Sequence, residues 1–185
     1  MPVTTIDPNT ALIVVDLQKG IVGLAPAEAM DQVVRNSRRL IDAFRRKQLP
    51  VVLVNVAGGA PGRTEQSRPR GELPADWADL LPELGQRPED ITVTKRTWGA
   101  FASTDIEQQL KGLGVTQVVV TGVATSIGVE STARQAYEAG FNVTLATDAM
   151  ADLRPEAHEA SIANIFPRMG ETGTTDQIIA LLDRA

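Results

Sequence analysis

Five runs of apolar residues punctuate the chain: ALIVVD at 11–16, VVLVNV at 51–56, ITVT at 91–94, QVVVTG at 117–122 and FNVTLATD at 141–148. Each is nearly continuous rather than alternating, which is the pattern of strands covered on both faces, as in a parallel sheet. Between the runs the period changes. In 29–48, Met30, Val33, Val34, Leu40, Ile41 and Phe44 recur at helical spacing, with Arg35, Arg38, Arg39, Arg45 and Arg46 on the other faces. Pro50 marks the stop. A second helix is predicted over 103–112, ended by Gly112 and Gly114. A third begins near Ile127 and ends at Gly140, and Pro155 opens a fourth. A weak sixth strand near 169–173 precedes a last helix in TTDQIIALLDRA. This alternation predicts a doubly wound α/β domain with right-handed crossovers. In such sheets ligands bind beyond the carboxyl ends of the strands.

One segment breaks the rhythm. Residues 57–90 are rich in Gly and Pro and carry Arg63, Arg68, Arg70 and Trp77. A connection this long reads either as a lid, binding loop or oligomer contact, or as a solvated loop with a short helix at 76–82.

Composition narrows the function classes. A length of 185 residues suits one domain spanning 1–185, and 43% hydrophobic residues argue against disorder. A net charge of −5 argues against nonspecific binding to nucleic acid or to an anionic membrane. There are no cysteines, which excludes disulfides, zinc–thiolate sites and a cysteine nucleophile. The N-terminal MPVTTIDPNT lacks the regions of a signal peptide, and no apolar run approaches the ~18 residues of a membrane span. A cytoplasmic protein is the expectation.

Three strand ends carry groups that can meet at a sheet crevice. The first run ends in Asp16, the third is followed by Lys95, and the fourth leads into the turn from Gly122 to Gly128. Taken singly, Asp16 reads as a cap and Lys95 as a surface charge. Together they form an acid/base pair, in which each favours the charged form of the other while burial opposes both charges. The turn GVATSIG is not a phosphate loop, because it lacks the G-x-G-x-x-G and G-x-x-x-x-G-K-[ST] spacings. It is a helix N-terminus whose backbone N–H groups can hold an oxygen anion. Thr125 or Ser126 is its expected N-cap. Ser126 makes a weak nucleophile, since nothing in the sequence places the single histidine, His158, beside it. One His and no Cys leave no recognisable metal spacing, so neither metal nor cofactor is expected.

Several other residues have structural readings. Trp98 and Phe101, beside Lys95, line the pocket or fill the core. Asp148 reads as a loop or cap hydrogen-bonder. Glu130 and Arg134 form an i,i+4 pair, and His158 is structural.

With ALIVVDLQKGIV, KRTWGAF, VVVTGVATSIGVESTARQAYEAGFNVTLATDAMAD and HEASIANIFPRMGETGTTDQII, the chain resembles the isochorismatase-like hydrolase superfamily, also called the cysteine hydrolase family, over essentially its whole length. The resemblance implies a six-stranded, mostly parallel sheet with helices on both faces. It also implies a small-molecule substrate and a homo-oligomer, dimer or tetramer, whose loops help complete neighbouring sites. Amidase-type members use an Asp, Lys and Cys triad. Asp16 and Lys95 match the first two, and Gly128 stands at the cysteine position. A cis peptide is implied at Val123–Ala124, where the N–H groups of Ala124 and residue 128 face the substrate oxygen.

Gly128 removes the thiolate and with it an acyl-enzyme route. Isochorismatases proper, which also tend to carry Gly here, act on a vinyl ether. Their Asp protonates the vinyl carbon and water attacks the oxocarbenium ion. The flanking VATSIGVESTAR is closer to the amidase-type members. The leading expectation is a hydrolase that works through Asp16 and Lys95 without a cysteine, with Val123, Ala124 and Trp98 binding substrate and loop arginines binding a carboxylate. Two alternatives stay open: a binding protein without turnover, and an amidase-type cysteine hydrolase whose nucleophile Gly128 has replaced.

Overall fold

The computed structural model describes residues 2–24, 27–66 and 73–184. Six strands form one sheet: β1 (Thr10–Val15), β2 (Val51–Val56), β3 (Ile91–Lys95), β4 (Gln117–Val123), β5 (Asn142–Ala151) and β6 (Glu171–Gly173). The spatial order is β3-β2-β1-β4-β5-β6, and every neighbouring pair is parallel. The doubly wound α/β sheet that the alternation predicts is observed, and where a mostly parallel sheet was expected every pair is parallel.

Continuity of the runs follows from two-sided burial. All six residues of β1 are buried. Ala11, Ile13 and Val15 face one core with Phe101, Ile106, Leu110, Ala133 and Phe166, while Leu12 and Val14 face the other with Leu40, Phe44 and Ile178. The first face is covered by α3 (Ile106–Gly112) and α4 (Glu130–Glu138), the second by α2 (Ala27–Arg46) and α6 (Thr175–Leu182). Two short helices complete the set, α1 (Lys19–Val22) and α5 (Pro155–Ala160).

The departures from the predicted elements have local causes. The third helix begins as a π-helical turn, Thr125–Val129, before becoming α4. The fourth also widens, at Ser161–Ile165. Strand β5 runs three residues beyond Asp148, because the β4–β5 register shifts between Val120 and Gly122. The expected helix at 76–82 is instead a turn followed by a 3₁₀ segment at Pro82–Leu84.

The strand order sets the site. The chain winds outward from β1 to β3 and returns to β4 on the other side of β1, which opens a crevice at the carboxyl ends of β1 and β4. Close contact there depends on Gly122, at φ +115°, where a Cβ would overlap the Val15 carbonyl. Among the described residues, no helix is long and apolar enough to cross a membrane.

Candidate active site

Asp16 follows β1 and turns out of it with φ +53°, a left-handed conformation that Asp tolerates better than bulky residues. Its N–H donates to Val54 O, and its carbonyl accepts from Gln18 N. Gln18 is itself buried and clamps the neighbouring strand: its Oε1 accepts from Val56 N, while its Nε2 donates to the carbonyls of Val56 and Trp77. These bonds fix the direction in which the Asp16 side chain leaves the sheet.

Lys95 ends β3, two strands away and about 10 Å off at the usual strand spacing. Its long side chain crosses β2, and its Nζ donates to Asp16 Oδ2 at 2.7 Å and to Thr97 O at 3.2 Å. Both residues are buried, Lys95 to 1% and Asp16 to 5% of full exposure. The other carboxylate oxygen, Oδ1, is buried without a hydrogen-bond partner among the described residues. Burial pushes the Asp16 carboxyl up to about 6, against the opposing pull of the Lys95 ammonium.

The turn after β4 closes the third side. The Val123–Ala124 peptide is cis, at the bond the resemblance implies. Gly128 lies against the ion pair: a Cβ built there would stand 3.1 Å from Asp16 Oδ2 and 3.0 Å from Val123 O. Thr132 ties the turn to the loop after Lys95, since its hydroxyl donates to Gly128 O and accepts from Ala100 N. Gln135 accepts from Phe101 N and packs over Gly99. The loop carrying Trp98 is thus held by α4.

The expected caps are not the ones used. Neither Thr125 nor Ser126 caps the helix; Ala124 stands at the N-cap and makes no side-chain bond. Asp152, just past β5, takes that role from outside, accepting from both Ser126 N and Ser126 Oγ at 2.7 Å. Ser126 is therefore bound to a carboxylate. His158 meets its neighbour instead, with Nδ1 2.8 Å from Thr125 Oγ1, and burial lowers the His158 pKa against the pull of Asp152 and Glu159. The sequence had placed His158 beside no particular residue.

These elements surround a cavity of about 750 Å³. Asp16, Lys95, Val123, Ala124, Gly128 and Trp98 all line it, so the six candidate residues come together. Trp98 is 64% exposed and stands at the mouth with Leu24, Ile127 and Leu153, whereas Phe101 belongs to the core and packs against Phe141. The long loop contributes Gly58, Gly59, Thr64, Glu65, Gln66 and Trp77. Trp77 packs on the backbone of Gly20. The expected carboxylate-binding arginines are not seen in this role: Arg63 is exposed and outside the lining, and Arg68 and Arg70 lie outside the described residues.

Asp148 and the Glu130–Arg134 pair sit apart from the cavity. Asp148 accepts from Thr175 N at the start of α6, as a cap does, and from Asn36. Arg134 donates to Glu130 along α4. No cluster of three or more metal-ligating side chains occurs among the described residues.

Comparison with known proteins decides the family. The Isochorismatase domain model matches residues 10–177.

The chain belongs to the isochorismatase family.

It is 45% identical over 178 residues to the isochorismatase family protein YwoC of Bacillus subtilis (strain 168), covering 92% of this chain and 93% of that one. It is 32% identical to Nicotinamidase 3 of Arabidopsis thaliana over 171 residues, covering 86% and 83%. Among solved structures, an isochorismatase family protein from Burkholderia thailandensis superposes with a TM-score of 0.91 at 38% identity, covering 97% and 98% of the two chains. Like other isochorismatase-family proteins, the chain is a hydrolase.

The sequence reading missed Asp152, Gln18 and Thr132. Asp152 carries a usable signal, a carboxylate following an apolar run, but the run FNVTLATD ends at Asp148.

Proposed function

We propose that this isochorismatase-family hydrolase cleaves a small molecule by acid–base chemistry at Asp16, without a nucleophilic side chain. The observation that carries the reading is the buried 2.7 Å Asp16–Lys95 pair at the foot of the cavity, with Oδ1 unpartnered among the described residues.

Asp16 exchanges a proton with substrate, and Lys95 holds its carboxylate in place through Oδ2. Protonated Asp16 gives its proton to the substrate, as in the vinyl-ether route of isochorismatases. Water attacks the resulting oxocarbenium ion, and a proton from that water returns to Asp16. The hemiketal so formed collapses: its C–O bond to the leaving oxygen breaks, and the hemiketal hydroxyl proton passes to that oxygen, giving a carbonyl product and an alcohol. The lining supports a cationic intermediate, because among the described residues it holds the carboxylates of Asp16, Glu65 and Asp152 against one ammonium, Lys95. Gly128 leaves room beside Oδ2 for substrate. The N–H groups of Ala124 and Gly128 bind a substrate oxygen, and Trp98 covers its apolar body.

A cytoplasmic homo-oligomer, dimer or tetramer, belongs to the same reading. The exposed Leu24, Trp98, Ile127 and Leu153 around the mouth support cover by a second copy.

The test is a turnover screen of vinyl ethers including isochorismate, small amides and ureas, with wild type and Asp16→Asn. Turnover that Asp16→Asn abolishes supports the proposal. Turnover unchanged by that substitution removes Asp16 from the mechanism. Ligand-induced stabilisation without turnover of any member would instead favour a binding protein.

A further inference from the structure

A helix N-terminus facing a crevice ordinarily attracts an anion from the ligand. In this chain the position is already taken. Asp152 comes from a different strand end, lines the cavity, and accepts two 2.7 Å bonds from Ser126 through one oxygen, Oδ2. Its other oxygen accepts from Arg154 N at 3.2 Å. Two more donors of the turn are spent internally, as Ile127 N and Val129 N both donate to Ala124 O. Glu65 adds a second carboxylate to the wall, and the Lys95 ammonium is bound to Asp16 and Thr97.

We propose that Asp152 is a specificity-determining residue, an internal anion that fills the donor end of the turn and rejects substrates presenting a carboxylate there. The ligand class is then uncharged at that end, an amide N–H or a hydroxyl that can donate to the carboxylate, carried on an apolar body that meets Trp98, Ile127 and Leu153. This rests on the proposed use of the cavity as the substrate site but not on the role of Asp16 in turnover.

One repulsion and one hydrogen bond decide the effect. A substrate carboxylate within a few ångströms of Asp152 meets like-charge repulsion worth about tenfold or more in affinity in a partly desolvated site. A neutral group of the same shape meets none of it and can donate to Asp152 if it carries an N–H or O–H.

The experiment compares benzamide and benzoate, which share a ring and differ in one group, by calorimetric titration of the intact chain at pH 7.5. Wild type is expected to bind benzamide more tightly than benzoate. Asp152→Asn, which keeps an acceptor but removes the charge, is expected to shift the affinity ratio about tenfold toward benzoate. Ser126→Ala keeps the carboxylate while loosening its hold on the turn, and its ratio is expected to stay at the wild-type value.

Wild type that prefers benzoate, or binds neither probe at millimolar concentration, overturns the proposal. So does a folded Asp152→Asn with an unchanged ratio. A Ser126→Ala that shifts the ratio as Asp152→Asn does would assign the effect to turn geometry rather than charge, which also overturns it. Should Asp152→Asn not fold, Asp152→Ser replaces it with the same expected shift. Binding is read without turnover, so failure here is separable from failure of the acid–base mechanism, which Asp16→Asn reports.

Discussion

Asp16 and Lys95 stand 79 residues apart in the chain and 2.7 Å apart in space, both buried. Neither charge would be stable there alone, and each is present because the other is. The pair is also asymmetric. Among the described residues Lys95 donates to two partners, whereas Asp16 Oδ1 is buried without one.

Activity should depend on pH through Asp16. Burial raises Asp16 to about 6, so it holds its proton below that pH. As a general acid it makes kcat/KM fall as pH rises through about 6, and Asp16→Asn should flatten this limb while lowering kcat roughly 10²–10⁴-fold. Stability follows the same proton. The folded value lies above the ordinary carboxylate value of 3.8, so the contribution of this group is complete below 3.8 and is lost as pH rises through about 6. Urea midpoints from pH 4 to 7 should show wild type losing stability relative to Asp16→Asn across that window. A pH-independent difference would mean that this carboxyl does not titrate there.

Removing the other partner should act in the opposite sense on the acid. Lys95→Met leaves Asp16 buried without its counter-charge, so burial acts unopposed and the inflection in kcat/KM moves above its wild-type position. The fold should lose about 3–5 kcal/mol where Asp16 is ionised, and Asp16→Asn combined with Lys95→Met should recover part of it. Equilibrium urea unfolding at pH 8 measures both.

Gly128 is predicted to be required as glycine. In Gly128→Ala the new Cβ meets Asp16 Oδ2 at 3.1 Å and Val123 O at 3.0 Å, closer than ordinary packing. The neighbours must give by a few tenths of an ångström, and the nearest of them, Val123 O, is backbone while Asp16 is held by Lys95. The expected result is loss of activity with about 1–3 kcal/mol of destabilisation. Gly128→Cys should lose activity likewise and gain no amidase activity. A gain of amide hydrolysis would show an amidase site complete but for its thiol.

Trp98 is predicted to bind substrate without holding the fold. It is 64% exposed at the cavity mouth, while its loop is pinned through Ala100 and Phe101 rather than through the indole. Trp98→Ala should raise KM about tenfold and leave stability within about 0.5 kcal/mol. A large drop in the urea midpoint would mean that the ring is structural.

Much of the site was legible because strand ends are legible. Apolar runs located β1, β3 and β4, and in a doubly wound sheet the residues just past them converge on one edge, which brought Asp16, Lys95 and the 123–128 turn together. Asp152 was hidden by the shifted β4–β5 register, which extends β5 past Asp148 and leaves that residue bonded to Asn36 and Thr175. Gln18 and Thr132 were hidden for another reason: their side chains bond to backbone groups distant in sequence, and residue type does not announce such partners.

By itself the sequence determined the parallel sheet, since runs such as VVLVNV have no polar face to show to water, and it determined that no thiol acts at residue 128. Tertiary structure alone decided that Lys95 reaches Asp16 across β2, that Oδ1 has no partner among the described residues, and that Asp152 takes the Ser126 donors of the turn. Those facts depend on distances between strands and on the burial of charge. A one-dimensional pattern records which groups are present, whereas desolvation and pairing depend on which groups the fold brings within a few ångströms.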